Sequence, residues 1–244
     1  MEPRIVSAPQ WQESLAQMLI REKELTRARD ELAAMRRRMP WTPVTKEYRF
    51  SGPDGLVTLR DLFAGRRQLL VYRAFMDPGV SGWPERGCVG CSLMADHVPD
   101  LSHLNARDTT LVYVSRGSQA DITRIKQRMG WTMPWFTMIE GSDGFFDADF
   151  DVDEWHGTNA FIRHPDTDEV YRTYFVNNRG DEAFVGTWNL LDITALGRQE
   201  TWEDSPPGYP QSPPYQWWRH HDRYDHVCQN GGGSPSTASA GGAR

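Results

Sequence analysis

The chain has 244 residues, 39% hydrophobic and 25% charged, with a net charge of −6. This composition is typical of a globular protein built as one large domain or one domain with extensions. The acidic balance argues against a protein that binds nucleic acid by neutralising many phosphates. No apolar run approaches the roughly 20 residues that a membrane-spanning helix needs. We therefore expect neither a nucleic-acid partner nor a membrane.

The N-terminus lacks the basic start and apolar core of a secretory signal, which predicts a cytoplasmic protein whose thiols are kept reduced.

Residues 9–38 are predicted to form one long helix, because apolar side chains recur at three- and four-residue spacing. This apolar stripe consists of Leu15, Met18, Leu25, Ala28, Leu32 and Met35. We assign residues 1–42 to a helical extension. Its stripe packs either on its own domain or on a second copy, which would make a homodimer.

Residues 43–200 are predicted to form the main domain, in which strands and helices alternate. Strands are expected at 46–50, 67–76, 108–117 and 130–141, with a hairpin at 159–176. Helices are expected at 91–104, 121–129 and 190–198, and Pro99 is expected to kink or divide the first of them.

This order of elements predicts an α/β protein with a central mixed sheet flanked by helices. It is similar to the order of thioredoxin-like and peroxiredoxin-like proteins. Residues 201–228 are rich in proline and aromatic residues and are expected to wrap over the domain in extended form. Residues 229–244 are rich in Gly, Ser and Ala and are expected to be disordered.

The stretch "GCVGCS" at 87–92 follows a buried strand and begins a predicted helix. A helix N-terminus lowers a cysteine pKa, and the thiolate is the reactive form. The spacing lets Cys88 attack a disulfide and Cys91 resolve the mixed intermediate, and Arg86 is a candidate second cation. The remaining cysteine, Cys228, lies far away and is expected to be dispensable. Three cysteines are an odd number, which argues against a secreted disulfide framework.

Other candidate site residues follow from their expected places in the fold. His156, just before a strand that should face the cysteines, is a candidate general base. The candidates for substrate binding are Trp83, Trp135, Trp155, Asn159, Asn178 and Arg179. A metal site of Cys88, Cys91 and His97 is a second interpretation, since sulfur and imidazole suit copper(I) or zinc.

Several longer stretches resemble a bacterial thioredoxin-like family known only as domain of unknown function 899. They are "REKELTRARDEL" (21–32), "GCVGCSLMAD" (87–96), "HLNARDTTLVYVSR" (103–116), "RMGWTMPW" (128–135), "WHGTNAF" (155–161), "YFVNNRGDE" (174–182) and "LLDITALGRQE" (190–200). The resemblance covers about residues 10–226 and implies a thioredoxin-like fold and a dithiol-disulfide oxidoreductase role.

The sequence departs from better-known proteins of that fold at two places. Thioredoxins carry a proline before the strand that faces the cysteine pair, whereas "HGTNAF" has none. Peroxiredoxins place a threonine three residues before the reactive cysteine, where this chain has Glu85. Both departures favour a dedicated substrate over general disulfide reduction or peroxide chemistry.

Our first hypothesis is a thiol-disulfide oxidoreductase that needs no cofactor and acts on a small-molecule or thiol/disulfide substrate. One alternative is a small-molecule oxidase or oxygenase that acts on an aromatic substrate in a Trp-lined pocket, with copper as a candidate cofactor. A further alternative is a non-catalytic metal-binding protein.

Overall fold

A computed structural model describes residues 4–141, 144–152 and 155–224. Cys228 and the tail at 229–244 lie outside these residues. In the described part of the chain, no helix is both long enough and apolar enough to cross a membrane.

The first element is the helix α1, Ala8–Arg37, which confirms the predicted long helix. Ser7 and Gln10 form a capping box at its start, so two otherwise unpaired backbone N–H groups are satisfied. None of its side chains is buried. The helix therefore stands away from the core of its own chain.

A single mixed sheet of eight strands forms the centre of the domain, in the order β1-β8-β7-β4-β5-β6-β2-β3. The strands are β1 Thr42–Pro43, β2 Arg49–Gly52, β3 Gly55–Thr58, β4 Gln68–Arg73, β5 Thr109–Ser115, β6 Trp135–Ile139, β7 Gly157–Arg163 and β8 Val170–Val176. The predicted strands and the hairpin are all present, but β2 ends at Gly52 rather than at 50 and β7 begins at Gly157 rather than at 159; the other strands lie within their predicted bounds.

The four strands β8-β7-β4-β5 give the sheet its thioredoxin-like character. β5 runs parallel to β4 on one side, and β7 runs antiparallel to it on the other. β8 continues the sheet antiparallel to β7. This confirms the predicted fold class, with β4 central and its carboxyl end pointing to the cysteine pair.

Five further helices are α2 Val89–Asp96, α3 Leu101–Asn105, α4 Gln119–Met129, α5 Phe146–Asp149 and α6 Gly186–Leu191. The helix expected at 91–104 is divided into α2 and α3, and Asp100 caps the second by accepting the Ser102 N–H. The prediction of a helix at 190–198 was wrong, because the helix in this region, α6, begins at Gly186 and ends at Leu191. Ile193 is 80% exposed, so the apolar residues there do not mark a packed helix face.

Two apolar clusters form the core. One contains Tyr72, Cys91, Tyr113 and Trp135, and the other contains Phe50, Phe146 and Phe161. Neighbouring residues of β4 divide between them, Tyr72 to the first cluster and Val71 to the second, as expected when side chains alternate across a sheet. Cys91 therefore belongs to the packed interior.

Residues 199–224, here called the C-terminal strap, return across the domain after α6. They contain turns and one short 3₁₀ helix, His221–Arg223. Glu200 is buried and its carboxylate accepts the indole N–H groups of Trp202 at 2.6 Å and Trp217 at 2.8 Å. These charge-assisted bonds join the two ends of the strap to each other.

Candidate functional site

The cysteine pair lies at the start of α2, after a loop that leaves the carboxyl end of β4. Gly87 has φ +134°, and a Cβ there would lie 3.2 Å from the Trp83 ring. Only glycine suits that backbone and that contact. The turn places Cys88 at the N-cap of α2 and Cys91 in its first turn.

Cys88 is the half-buried member of the pair, and its Sγ accepts the Cys91 N–H at 3.1 Å. The Cys91 thiol, which donates to it, contributes most to lowering the Cys88 pKa. Burial opposes that effect, while the N–H groups of Cys91 and Gly90 and the charge of Arg73 add to it. The net result is a pKa below that of an ordinary thiol, which favours the reactive thiolate form at Cys88.

Cys91 has the opposite character. It is fully buried, and its Sγ accepts the Phe75 N–H at 3.2 Å. Burial raises its pKa well above the usual range, and its hydrogen bond to Cys88 and the charge there raise it further. Cys91 thus holds a proton while Cys88 gives one up.

One cation that favours the Cys88 thiolate is Arg73, at the end of β4. The guanidinium of Arg73 is fully buried and bonds Asp147 at 2.9 Å and also Asp77. Arg86 is exposed, and its guanidinium lies beside Gly82. The predicted role of Arg86 as a cation for the cysteine pair stays a prediction.

His156 lies immediately before β7, and its Nδ1 is hydrogen-bonded to Asp181 Oδ2 at 3.1 Å. Burial would lower the pKa of His156, but the Asp181 bond and the charges of Cys91 and Asp181 outweigh it and raise that pKa. Burial raises the pKa of Asp181, against the effect of His156. Asp181 thus favours the protonated form of His156, and the positive charge of that form lowers the Cys91 pKa.

A cavity of about 150 Å³ opens beside the first turn of α2. It is lined by Gly90, Met94, Trp155, His156, Asn178, Arg179, Asp181, Glu182, Trp188, Tyr215 and Trp218. Four predicted residues, Trp155, His156, Asn178 and Arg179, therefore meet in one place. Sequence reasoning missed Asp181, although it lies only two residues after Arg179.

Three residues predicted to bind substrate lie elsewhere. Trp135 is buried in the core and donates its indole N–H to Ser115 at 3.0 Å. Trp83 is buried against Gly87 and Gly117. Asn159 pairs in register with Val71 and accepts a bond from Arg172 at 2.7 Å. Its side chain is on the sheet face opposite Cys91, since neighbours on a strand alternate.

The predicted metal set of Cys88, Cys91 and His97 is not assembled. Across the described residues, no three His, Cys, Asp or Glu side chains are grouped so as to hold a metal ion. The Nε2 of His97 is instead hydrogen-bonded to the Thr187 hydroxyl at 2.7 Å. His97 lies beyond the last turn of α2, at its C-cap, and the cysteines are at the other end.

The comparisons with known proteins give one family match and several distant structural likenesses. The family described as "Bacterial protein of unknown function (DUF899)" matches residues 1–224. No curated protein matches the sequence.

Among solved structures, the chain is similar to the peroxidoxin BcpB of Mycobacterium tuberculosis, with 17% identity, a TM-score of 0.38, and 64% of this chain and 99% of that chain covered. It is similar to a mutant of PrxQ from Xylella fastidiosa, with 17% identity, a TM-score of 0.37, and 61% and 95% covered. A thiol:disulfide interchange protein from Bacteroides sp. has 15% identity, a TM-score of 0.37, and 66% and 94% covered.

Proposed function

The chain belongs to DUF899, a family of bacterial proteins of unknown function, and from the geometry of its site we propose that it is a thiol-disulfide oxidoreductase. The observation that carries the proposal is the placement of the two thiols. Cys88 is half-buried at the N-cap of α2, where its Sγ accepts the Cys91 N–H at 3.1 Å, and Cys91 is fully buried in the first turn. The lowered pKa of Cys88 and the raised pKa of Cys91 agree with this placement. A nucleophile that is ionised first and a partner that waits protonated are what stepwise disulfide exchange needs.

In the first step, the Cys88 thiolate attacks one sulfur of a substrate disulfide. A Cys88–substrate disulfide forms, the substrate S–S bond breaks, and one substrate thiolate leaves. In the second step Cys91 gives up its proton and attacks Cys88 Sγ, which releases the second substrate thiolate and forms the Cys88–Cys91 disulfide. The substrate gains two electrons and the protein loses two. An external dithiol restores the reduced pair.

The second step needs a proton acceptor, because the Cys91 thiol is buried and holds its proton strongly. The His156–Asp181 pair supports this role, since its charge acts on Cys91 and it occupies the start of the facing strand. Neutral His156 takes the Cys91 proton, and the imidazolium that results, hydrogen-bonded to Asp181, favours the Cys91 thiolate as it forms. His156 is therefore proposed as the general base for Cys91 rather than for Cys88.

The test is a count of thiols and masses in the full-length protein. Reduced protein is treated with a small aromatic disulfide, dithiobis(nitrobenzoate), then passed through a desalting column. We expect Cys88 and Cys91 to be lost as free thiols, to appear as one peptide pair lighter by two hydrogens, and to return on treatment with dithiothreitol. Stable adducts on separate cysteines, with no internal disulfide, would contradict the proposal.

A further inference from the structure

The C-terminal strap packs against the first turn of α2 at Gly90, the residue that precedes Cys91. The Trp218 ring is so close to α2 that a Cβ on Gly90 would lie 3.0 Å from it. Trp218 also packs against Trp188 of α6, with ring centroids 5.4 Å apart, and against Tyr215 at 4.7 Å. These aromatic contacts close one side of the first turn of α2.

Polar contacts hold the strap beyond Trp218. Arg128 of α4 is hydrogen-bonded to His220 Nδ1 at 2.7 Å and paired with Asp222 at 3.2 Å. His221 Nδ1 lies 2.6 Å from Asp96 at the end of α2. These contacts fix the end of the strap to α4 and to the last residue of α2.

The cavity left beside this cover is small. Its volume, about 150 Å³, is below the roughly 300–1,000 Å³ of pockets that hold drug-sized ligands. Arg179 and Glu182 both line it, so the lining has charges of both signs; the two are bonded to each other at 3.0 Å, and Glu182 also accepts from Arg198 at 2.9 Å. A group of amino-acid size with an ammonium and a carboxylate matches these charges, whereas a protein loop carrying a disulfide does not fit.

We propose that the strap, through Trp218, restricts the cysteine pair to low-molecular-weight disulfides with amino-acid ends, such as cystine. This inference rests on the function proposed above. Because the attacking sulfur must line up with both sulfurs of the target, a disulfide in a folded protein brings main chain against Trp218 and Tyr215 before its sulfur reaches Cys88.

The experiment compares cystine with insulin, a protein disulfide, as oxidants of the reduced full-length protein. We expect wild-type kcat/KM to be at least about 100-fold higher for cystine, and Trp218→Ala to raise kcat/KM for insulin by about tenfold. Tyr209→Ala, in the same strap but beside Trp202, is the matched control and should change neither value.

Equal rates on the two substrates in the wild-type protein would overturn the inference and leave the oxidoreductase intact. So would a Trp218→Ala variant with an unchanged ratio. Failure to react with either disulfide would overturn the oxidoreductase itself. A second measurement is labelling of Cys88 by iodoacetamide and by a bulky polyethylene-glycol maleimide. In the wild type, the bulky reagent should label Cys88 more slowly than iodoacetamide does. In Trp218→Ala the two labelling rates should become similar.

An independent observation concerns α1, in which no residue is buried by the rest of the chain. One face carries a seam at alternating spacings of four and three residues: Trp11, Leu15, Met18, Glu22, Leu25, Arg29 and Leu32. Met18 is 58% exposed, Leu25 49% and Leu32 45%. This is the spacing of a coiled-coil interface.

The two charges within the seam determine which partner fits. Glu22 and Arg29 flank Leu25. In a parallel pair, Glu22 would face Glu22 of the second copy and Arg29 would face Arg29, so like charges would repel. In an antiparallel pair centred near Leu25, each Glu22 lies beside Arg29 of the second copy. We infer that α1 pairs with α1 of a second copy in antiparallel orientation, with these charges setting the register.

Light scattering on the full-length protein tests the pairing. We expect a wild-type dimer, about tenfold or greater weakening in Glu22→Arg and in Arg29→Glu, and recovery in the double variant. Arg27→Glu, on the opposite face of α1, is the control. A monomeric wild type, or a double variant as weak as the single ones, would overturn the inference.

Discussion

Replacing Cys88 with serine will abolish disulfide exchange, with a loss of at least about 1,000-fold in kcat/KM. Replacing Cys91 will leave the first step intact and stop the second. Cys91→Ser should therefore accumulate a stable disulfide between Cys88 and the substrate, visible by mass spectrometry. The reason is that the proposed mechanism gives the two thiols different roles. Cys88, at the N-cap of α2, attacks the substrate disulfide, and the buried Cys91 resolves the mixed disulfide.

The pH dependence separates the two cysteines further. Because the Cys88 pKa is lowered, its thiolate persists as pH falls below the range where an ordinary thiol becomes protonated. Because the Cys91 pKa is raised, that sulfur stays protonated through neutral pH. Alkylation by iodoacetamide as a function of pH should thus modify Cys88 first, at a midpoint below that of a free thiol.

Cys228→Ser is the control, and it should exchange disulfides like the wild type. Full activity in Cys88→Ser, or a Cys91→Ser variant that turns over without an intermediate, would contradict the assigned roles. A Cys88 midpoint at or above that of a free thiol would show that the contacts around its sulfur do not favour the thiolate.

The position of Cys88 at the start of a helix could be predicted from sequence because the signals for it are local. A buried strand, a glycine-containing turn and a helix start within twenty residues placed Cys88 at a helix N-terminus. His156 was found for a similar reason, since it directly precedes a strand, β7, that neighbours β4 in this fold.

The remaining residues of the site depend on contacts between distant segments. Arg73 lies in a strand whose sequence indicates burial, yet its partner Asp147 is 74 residues away. Local patterns cannot pair them. Trp83 and Trp135 were misassigned because hydrophobicity alone does not distinguish a core side chain from one that lines a pocket. Asn159 required the strand register, because a shift of one residue reverses its face.

The second large effect is on stability, and it concerns the ion network below the site. Asp147 is fully buried and receives hydrogen bonds from Arg73 and Arg116. Asp147→Asn removes the negative charge and leaves buried Arg73 with Asp77 as its acidic partner. Breaking a buried pair in this way costs about 3–5 kcal/mol, so the free energy of unfolding in urea should fall by that amount.

The same helix provides the matched control. Asp149, two residues along α5, pairs with Lys46 at the surface, where its side chain is 31% exposed. Asp149→Asn should cost no more than about 1 kcal/mol, because water replaces the lost partner. Equal losses in the two variants would contradict the role given to burial. A much larger loss at Asp147 would mean that the buried ion pair between Arg73 and Asp147 stabilises the fold. Because the charge of Arg73 also lowers the Cys88 pKa, the same ion pair would link the reactivity of the cysteine pair to the stability of the protein.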